Sequence, residues 1–120
     1  MTVTAGGKDF ELVHAAPPEF YNDAESLRYA DKYEYSVWKR SFDYDMLPDG
    51  KTLIFGHTPT VNFQDGRTLT IWNCPNGKAV GIDCGSGFPE KADKSFPFQG
   101  RLACVRLDDM QVFYSKKQAR

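Results

Sequence analysis

The stretch Thr52-Leu53-Ile54-Phe55, followed directly by Gly56-His57-Thr58-Pro59, joins a short apolar segment to a sharp turn. Consecutive apolar residues bounded by turn residues predict a strand. Gly56 allows the backbone to bend where this strand ends, and Pro59 fixes the direction in which the chain leaves. His57 is therefore expected on a rigid turn beyond the carboxyl end of a strand, where α/β proteins commonly place their sites.

The only other histidine stands in a similar position. Alternation in Lys8–His14 predicts a strand that pairs with Val3–Ala5 across a Gly6-Gly7 turn, and prolines end it shortly after His14. Imidazole is the commonest side-chain metal donor near neutral pH, so two histidines at strand ends suit metal ligands. Taken alone, each histidine is explained as well by a hydrogen-bonded or capping role in a loop.

One helical region is expected, from about Ala24 to Arg40. Within it, Tyr33, Val37 and Arg40 are spaced to share one helix face. Arg40 can donate two hydrogen bonds to a phosphate or a carboxylate. The alternative is an ordinary exposed arginine that stabilises the helix dipole at its carboxyl end.

The second half of the chain is predicted to be a meander of short strands. They are expected at Thr52–Phe55, Thr68–Trp72, Lys78–Asp83, Arg101–Leu107 and Gln111–Ser115. A polar loop, Gly85–Gly100, interrupts this series and is long enough to be functional or mobile.

The three cysteines are expected to be free thiols. The hairpin signal Asn76-Gly77 pairs Cys74 with Ala79, so Cys74 and Cys84 lie on the order of 16 Å apart along the strands. That separation is too long for a disulfide.

Composition limits the class of protein. The chain has 120 residues, of which 41% are hydrophobic, and a formal net charge of −1. This favours one globular domain and argues against nucleic-acid or anionic-membrane binding, which needs a clustered excess of basic residues. No apolar stretch is long enough for a transmembrane helix, and no secretory signal is visible, so a cytoplasmic location is the expectation.

Several of these segments, taken in chain order, resemble the calcineurin-like metallophosphoesterases, and bacterial and phage serine/threonine protein phosphatases most closely. The segments are His14-Ala15 at a strand end, Trp38-Lys39-Arg40, Gly56-His57-Thr58-Pro59, Ile82-Asp83-Cys84-Gly85 and Gly100–Asp108. The resemblance covers residues Val3 to Tyr114.

The resemblance implies a fold and a site. The fold would be of the α+β or α/β class, the strand-rich carboxyl-terminal half of a β-sandwich flanked by helices, with a mixed sheet and one main helical region. Residues 1–115 would form this half-domain and residues 116–120 a basic tail. His14 and His57 would ligate one metal of a dinuclear manganese, iron or zinc centre, and Arg40 would clamp the phosphate of a phosphoprotein or another phosphate ester. Supporting positions in the surrounding turns and strand would be Gly56, Thr58, Asp83 and Gly85.

The sequence also departs from this family. The blocks Asp-x-His, Gly-Asp-x-x-Asp-Arg-Gly and Gly-Asn-His-Glu, which supply the bridging aspartate, the other ligands and the general acid, are absent from the 120 residues. We therefore expect a truncated half-domain that holds at most one metal weakly, has no catalytic general acid and is inactive on its own. An exposed sheet face would favour a homo-oligomer.

Two other hypotheses remain open beside the half-domain. In the first, the chain is a non-catalytic module that binds a partner or a phosphorylated ligand through Arg40 and the loop Gly85–Gly100. In the second, it is a small strand-rich domain whose histidines only resemble the motif.

Overall fold

The computed structural model describes residues 1–21, 28–40, 42–66, 69–88, 94–95 and 97–115. These residues form strands β1 to β7 and helix α1. Their bounds are β1 Thr2–Ala5, β2 Lys8–Val13, α1 Lys32–Trp38, β3 Lys51–Phe55, β4 Trp72–Asn73, β5 Ala79–Gly81, β6 Ala103–Arg106 and β7 Gln111–Tyr114. Short 3-10 turns lie at Pro18–Phe20, Tyr44–Met46 and Thr60–Asn62.

The main sheet has five strands in the order β1-β2-β3-β5-β4, and β6 pairs with β7 in a second, two-stranded sheet. The pairs β2/β3 and β3/β5 are parallel, whereas β1/β2 and β4/β5 are antiparallel. The predicted mixed sheet with one helical region is confirmed for the described residues. The meander is wrong, because β5 inserts beside β3 as a parallel neighbour and leaves β4 at the sheet edge.

Turn chemistry determines both hairpins of the main sheet. Gly6 and Gly7 have φ values of 56° and 75°, as a two-residue turn with positive φ at both positions requires, and Ala5 pairs with Lys8. In the second hairpin, the Cys74 N–H donates to the carbonyl oxygen of Ala79 at 2.9 Å. The predicted register is confirmed there, and all three cysteines are free thiols.

Helix α1 differs from its prediction. It begins after Asp31, whose carboxylate accepts the Glu34 N–H at 2.8 Å, and it ends at Trp38 because Lys39 is extended. Tyr33 and Val37 share one face of α1, but Tyr33 is 78% exposed and the fully buried side chain of the helix is Tyr35. Arg40 lies beyond the helix rather than on it. Residues 24–27 of the predicted helical region lie outside the described residues.

The two faces of the main sheet carry separate apolar clusters. One face packs Phe10, Ile54 and Val80 against Leu107 and Met110, which belong to the turn that joins β6 to β7. The other face is covered by an aromatic cluster around Phe55 that includes Phe20, Phe42, Tyr44, Phe63 and Trp72. The β6/β7 hairpin is therefore a second layer on one face, which is the layering that a small sheet needs to bury its apolar side.

The described residues leave out parts of two predicted segments. The tail 116–120 lies outside the described residues, and so do residues 89–93 and 96 of the predicted loop Gly85–Gly100. Within the described part of the chain, no helix has the length and apolar character needed to cross a bilayer.

Gly100 lies shortly before β6 and contacts the backbone of Gly85 after β5, so a substitution there tests how the β6/β7 layer is attached to the main sheet. A Cβ atom at this position would lie 1.7 Å from the carbonyl oxygen of Gly85, next to the hydrogen bond that the Arg101 N–H donates to Cys84 at 2.9 Å. We expect Gly100→Ala to lower the free energy of unfolding by about 2–3 kcal/mol, because the backbone has to separate. Urea denaturation measures this.

The matched control is Gly87→Ala. No atom lies within 4 Å of a Cβ placed at Gly87, and its φ is not positive. Its stability should change little, and equal losses in the two variants would contradict the proposed close contact.

Candidate functional site

Three chemically active side chains follow the three parallel strands of the sheet. Val13 pairs with Phe55, and Phe55 with Gly81, so β2, β3 and β5 end at the same sheet edge. The Gly56 N–H donates to the carbonyl oxygen of His14 at 2.9 Å and extends the ladder by one bond. His14, His57 and Asp83 therefore stand just beyond the carboxyl ends of adjacent strands, as the first sequence arguments anticipated for the histidines.

The two imidazoles are neighbours. Their ring centroids lie 5.1 Å apart, with 49° between the ring planes. His14 is exposed and His57 is half-buried. The structure thus brings together the two residues that the sequence identified separately.

The turn at His57 is tighter than the sequence indicates. The Thr58 N–H donates to the Gly56 carbonyl oxygen at 2.7 Å, and the central residue, His57, has a φ of 67°. This is a γ-turn with positive φ, which is uncommon and strained. The bend falls on His57 rather than on Gly56, because Gly56 has no positive φ. A non-glycine residue held in this region costs about 1–3 kcal/mol.

One ring nitrogen of His57 is buried without a partner. This atom is Nε2. When it carries no proton, Nε2 offers a lone pair that no group of the described residues uses. The Trp38 indole packs against this ring at 5.6 Å, with an interplanar angle of 86°. A ring held by packing with an unpartnered nitrogen suits a histidine ligand of a metal.

The surroundings keep the His57 ring neutral. Burial lowers its pKa below the ordinary value of 6.5, and positive charge on His14 and Arg40 lowers it further. The Trp38 carbonyl and the Asp83 carboxylate act in the opposite direction and do not reverse the shift. A neutral imidazole is the form that can bind a metal.

Arg40 reaches the site through the turn and not through the helix. The Thr58 hydroxyl, on a residue only 4% exposed, donates to the Arg40 carbonyl oxygen at 2.9 Å. This bond fixes the backbone of Arg40 beside the γ-turn, and the side chain is exposed. Arg40 is thereby near enough to His57 to affect its pKa.

Asp83 and Gly85 build the adjoining turn. The Asp83 carboxylate accepts the Gly85 N–H at 2.9 Å, and the Asp83 carbonyl accepts the Thr60 N–H at 2.9 Å. Gly85 has a φ of 68°, and a Cβ there would lie 2.6 Å from the Phe88 ring. One oxygen of the Asp83 carboxylate is thus occupied by a hydrogen bond within the turn.

A cleft of about 260 Å³ adjoins the histidine pair. It is lined by the turns after β3 and β5 and by the start of β6, through Gly56, His57, Ile82, Asp83, Cys84, Ser86, Arg101, Leu102 and Ala103. Sequence reasoning gave no role to Trp38, Arg101 or Leu102. Of these three residues, only Trp38 could have been selected from the sequence, because it lies two residues before Arg40.

The histidine pair has the spacing of two ligands of one metal ion. Imidazole nitrogen binds zinc at about 2.0–2.1 Å, which places the centroids of two rings on one tetrahedral ion about 5 Å apart. The observed separation of 5.1 Å and the unpartnered Nε2 fit this requirement. However, the described residues contain no group of three or more His, Cys, Asp or Glu side chains able to hold a metal. The residues fit two ligands of one metal and do not fit a complete dinuclear centre.

Comparisons with family models, with curated proteins and with solved structures found no match for the chain.

The pKa of His57 provides a test of this geometry. In metal-free protein, we expect His57 to titrate below the ordinary value of 6.5, and Arg40→Gln to raise its pKa because a neighbouring positive charge is removed. The unfolded chain takes up this proton at a higher pH than the folded chain. Stability should therefore fall as the pH drops from about 6.5 towards the His57 pKa of the folded state. Imidazole proton shifts followed by NMR against pH measure the pKa, and a His57 pKa above 6.5 would contradict the burial.

Proposed function

We propose that the carboxyl edge of the sheet is the histidine and arginine part of a metal-dependent phosphoesterase site of the serine/threonine phosphatase type. In this proposal, His14 and His57 bind one manganese, iron or zinc ion, and Arg40 binds a phosphate oxygen. The remaining ligands and the general acid come from residues other than those described.

The observation that carries the proposal is the paired imidazoles. They lie 5.1 Å apart, and His57 has a buried, unpartnered Nε2. A buried nitrogen without a hydrogen bond costs free energy, so this arrangement favours a ligand at Nε2. Nitrogen donors of this type suit zinc, iron and manganese better than magnesium.

Arg40 provides the second support. Its backbone is tied to Thr58 within the same turn region that holds His57, and its guanidinium is exposed to solvent. A planar guanidinium can donate two parallel hydrogen bonds to a phosphate. The Arg40 cation next to the neutral His57 ring therefore gives this edge an affinity for anions, despite the chain's formal net charge of −1.

The chemistry that a bound metal supplies in such enzymes is polarisation of the phosphoryl oxygen and activation of a water molecule. The residues of this chain contribute binding and orientation: Arg40 holds the phosphate, Thr58 holds Arg40, and Trp38 orients the His57 ring. Two imidazoles leave a divalent ion short of the four donors that it commonly needs. We therefore infer that the chain alone does not hydrolyse phosphate esters.

Metal binding tests the histidine pair. We expect one Zn²⁺ or Mn²⁺ per chain by isothermal titration calorimetry, with more than tenfold weaker binding in His14→Ala and in His57→Asn. Asparagine is chosen at position 57 because it tolerates the positive φ of 67° that the turn requires.

The matched control is Cys104→Ser, which removes an exposed free thiol outside the site. Metal affinity should be unchanged in this variant. Unchanged affinity in His57→Asn, or a loss in Cys104→Ser, would show that the metal binds elsewhere.

Hydrolysis tests the second part of the proposal. With Mn²⁺ added, we expect the chain to release no product from an aryl phosphate above the rate in buffer, because the bridging ligand and the general acid are lacking. A chromogenic assay measures this. Turnover that disappears in His57→Asn would contradict the inference and would indicate a complete site.

The other candidate is a non-catalytic phosphate-binding module built on the same edge. The exposed Arg40 and the shortage of metal donors among the described residues favour it. It shares Arg40 with the first proposal and differs in needing no metal. Phosphate binding that persists in His57→Asn without Zn²⁺ or Mn²⁺ would support this alternative.

A further inference from the structure

We propose that the cleft beside His57 receives the organic group of the phosphate ester, and that this group is compact, uncharged and largely apolar. Phenyl phosphate is the simplest probe of this class. The inference rests on the proposed function for the position of the phosphate, because His57 belongs both to the histidine pair and to the cleft wall.

The size of the cleft sets the first limit. Its volume of about 260 Å³ is below the range of roughly 300–1,000 Å³ typical of pockets for drug-sized ligands. A single ring or a short side chain fits this space. A dinucleotide does not.

The walls of the cleft are held in place by close packing and hydrogen bonds. The backbones of Gly85 and Gly100 meet without room for a Cβ atom at Gly100. Arg101 donates its N–H to Cys84 at 2.9 Å and its Nε–H to the Leu69 carbonyl at 2.8 Å. A site fixed in this way does not have to be ordered by the ligand, which favours binding of small groups.

The two charged side chains of the cleft have opposite charges, and each has a partner. The Arg101 guanidinium lies 3.6 Å from the centre of the Tyr114 ring, and one oxygen of the Asp83 carboxylate accepts the Gly85 N–H. Together they give the cleft no net positive charge that would attract an anionic group. The ester phosphate is therefore expected at Arg40, outside the cleft lining, and the neutral part of the molecule within the cleft.

The remaining lining is mainly apolar. Ile82, Leu102 and Ala103 contribute aliphatic surface, and Leu102 is 62% exposed. A ligand that covers this side chain removes apolar surface from water on both partners, which favours binding. Leu102 is thus the residue that determines specificity for the organic group. Because its side chain is exposed, a substitution there is compatible with folding.

The test is a titration of the full chain followed by amide NMR shifts, with inorganic phosphate, phenyl phosphate and phenol as separate probes. We expect phenyl phosphate to bind about tenfold more tightly than inorganic phosphate. Phenyl phosphate should shift the amides of Cys84, Ser86 and Ala103, and inorganic phosphate should not. Leu102→Asn should reduce the difference in affinity to within twofold and leave the affinity for inorganic phosphate unchanged.

Met46→Asn is the matched control, because Met46 is 69% exposed and outside the cleft lining. It should bind both phosphates as the parent chain does. Equal affinities for the two phosphates, or cleft amides unmoved by both phenyl phosphate and phenol, would overturn the inference. Cleft shifts with phenol, together with no binding of inorganic phosphate, would support the apolar cleft and reject the proposed function instead.

Discussion

The parallel pairing of β2 with β3 is the constraint on which the candidate site depends. Val13 lies opposite Phe55, so the residues that follow, His14 and Gly56, are joined by the next hydrogen bond along the ladder. A shift of one strand by one residue would turn the side chains of that strand to the opposite faces of the sheet. It would separate the histidines and remove Phe10 or Phe55, each only 1% exposed, from its core. The cores on the two faces therefore fix the register, and the register fixes the histidine pair.

A second set of contacts orients the site residues whose backbones the strand register brings together. The parallel ladder positions the backbone at His57, but its ring direction depends on the γ-turn and on packing against the Trp38 indole. The same turn presents Thr58, whose hydroxyl holds the Arg40 backbone. One three-residue turn thus connects β3 with the chain leaving helix α1. A change in this turn affects the imidazole and the guanidinium together, although the two residues are distant in sequence.

Local turn chemistry made much of the fold predictable. The Gly6-Gly7 and Asn76-Gly77 hairpins follow from two-residue signals. The strand end at His14 is marked by the two prolines that follow it, and the strand end at His57 by Gly56 and Pro59. Pairing between distant segments was not predictable in this way. β5 has only three residues, and no local signal indicates that it lies parallel to β3 rather than following it in a meander.

The candidate site could likewise be predicted only in part. Both histidines and Arg40 could be selected as residues, because their types and flanking residues are informative on their own. Their geometry could not be predicted: Arg40 approaches through Thr58 after the helix has ended, and the positive φ falls on His57 although a glycine precedes it. The cleft could not be predicted from the sequence either, because its walls come from three segments and depend on the contact between Gly85 and Gly100.

Two unfavourable features coincide at His57. Its backbone is held at a φ of 67°, and its Nε2 is buried without a hydrogen-bond partner. The first costs about 1–3 kcal/mol and the second about 1–3 kcal/mol, in a domain whose net stability is commonly only about 5–15 kcal/mol. Glycine at this position would remove both costs, but it would also remove the ring contacts with Trp38 and His14. A ligand at Nε2 would relieve the second cost and leave the first. Because it would bind the folded arrangement of the two rings, its binding free energy would stabilise the strained turn, and the turn and such a ligand would be thermodynamically linked.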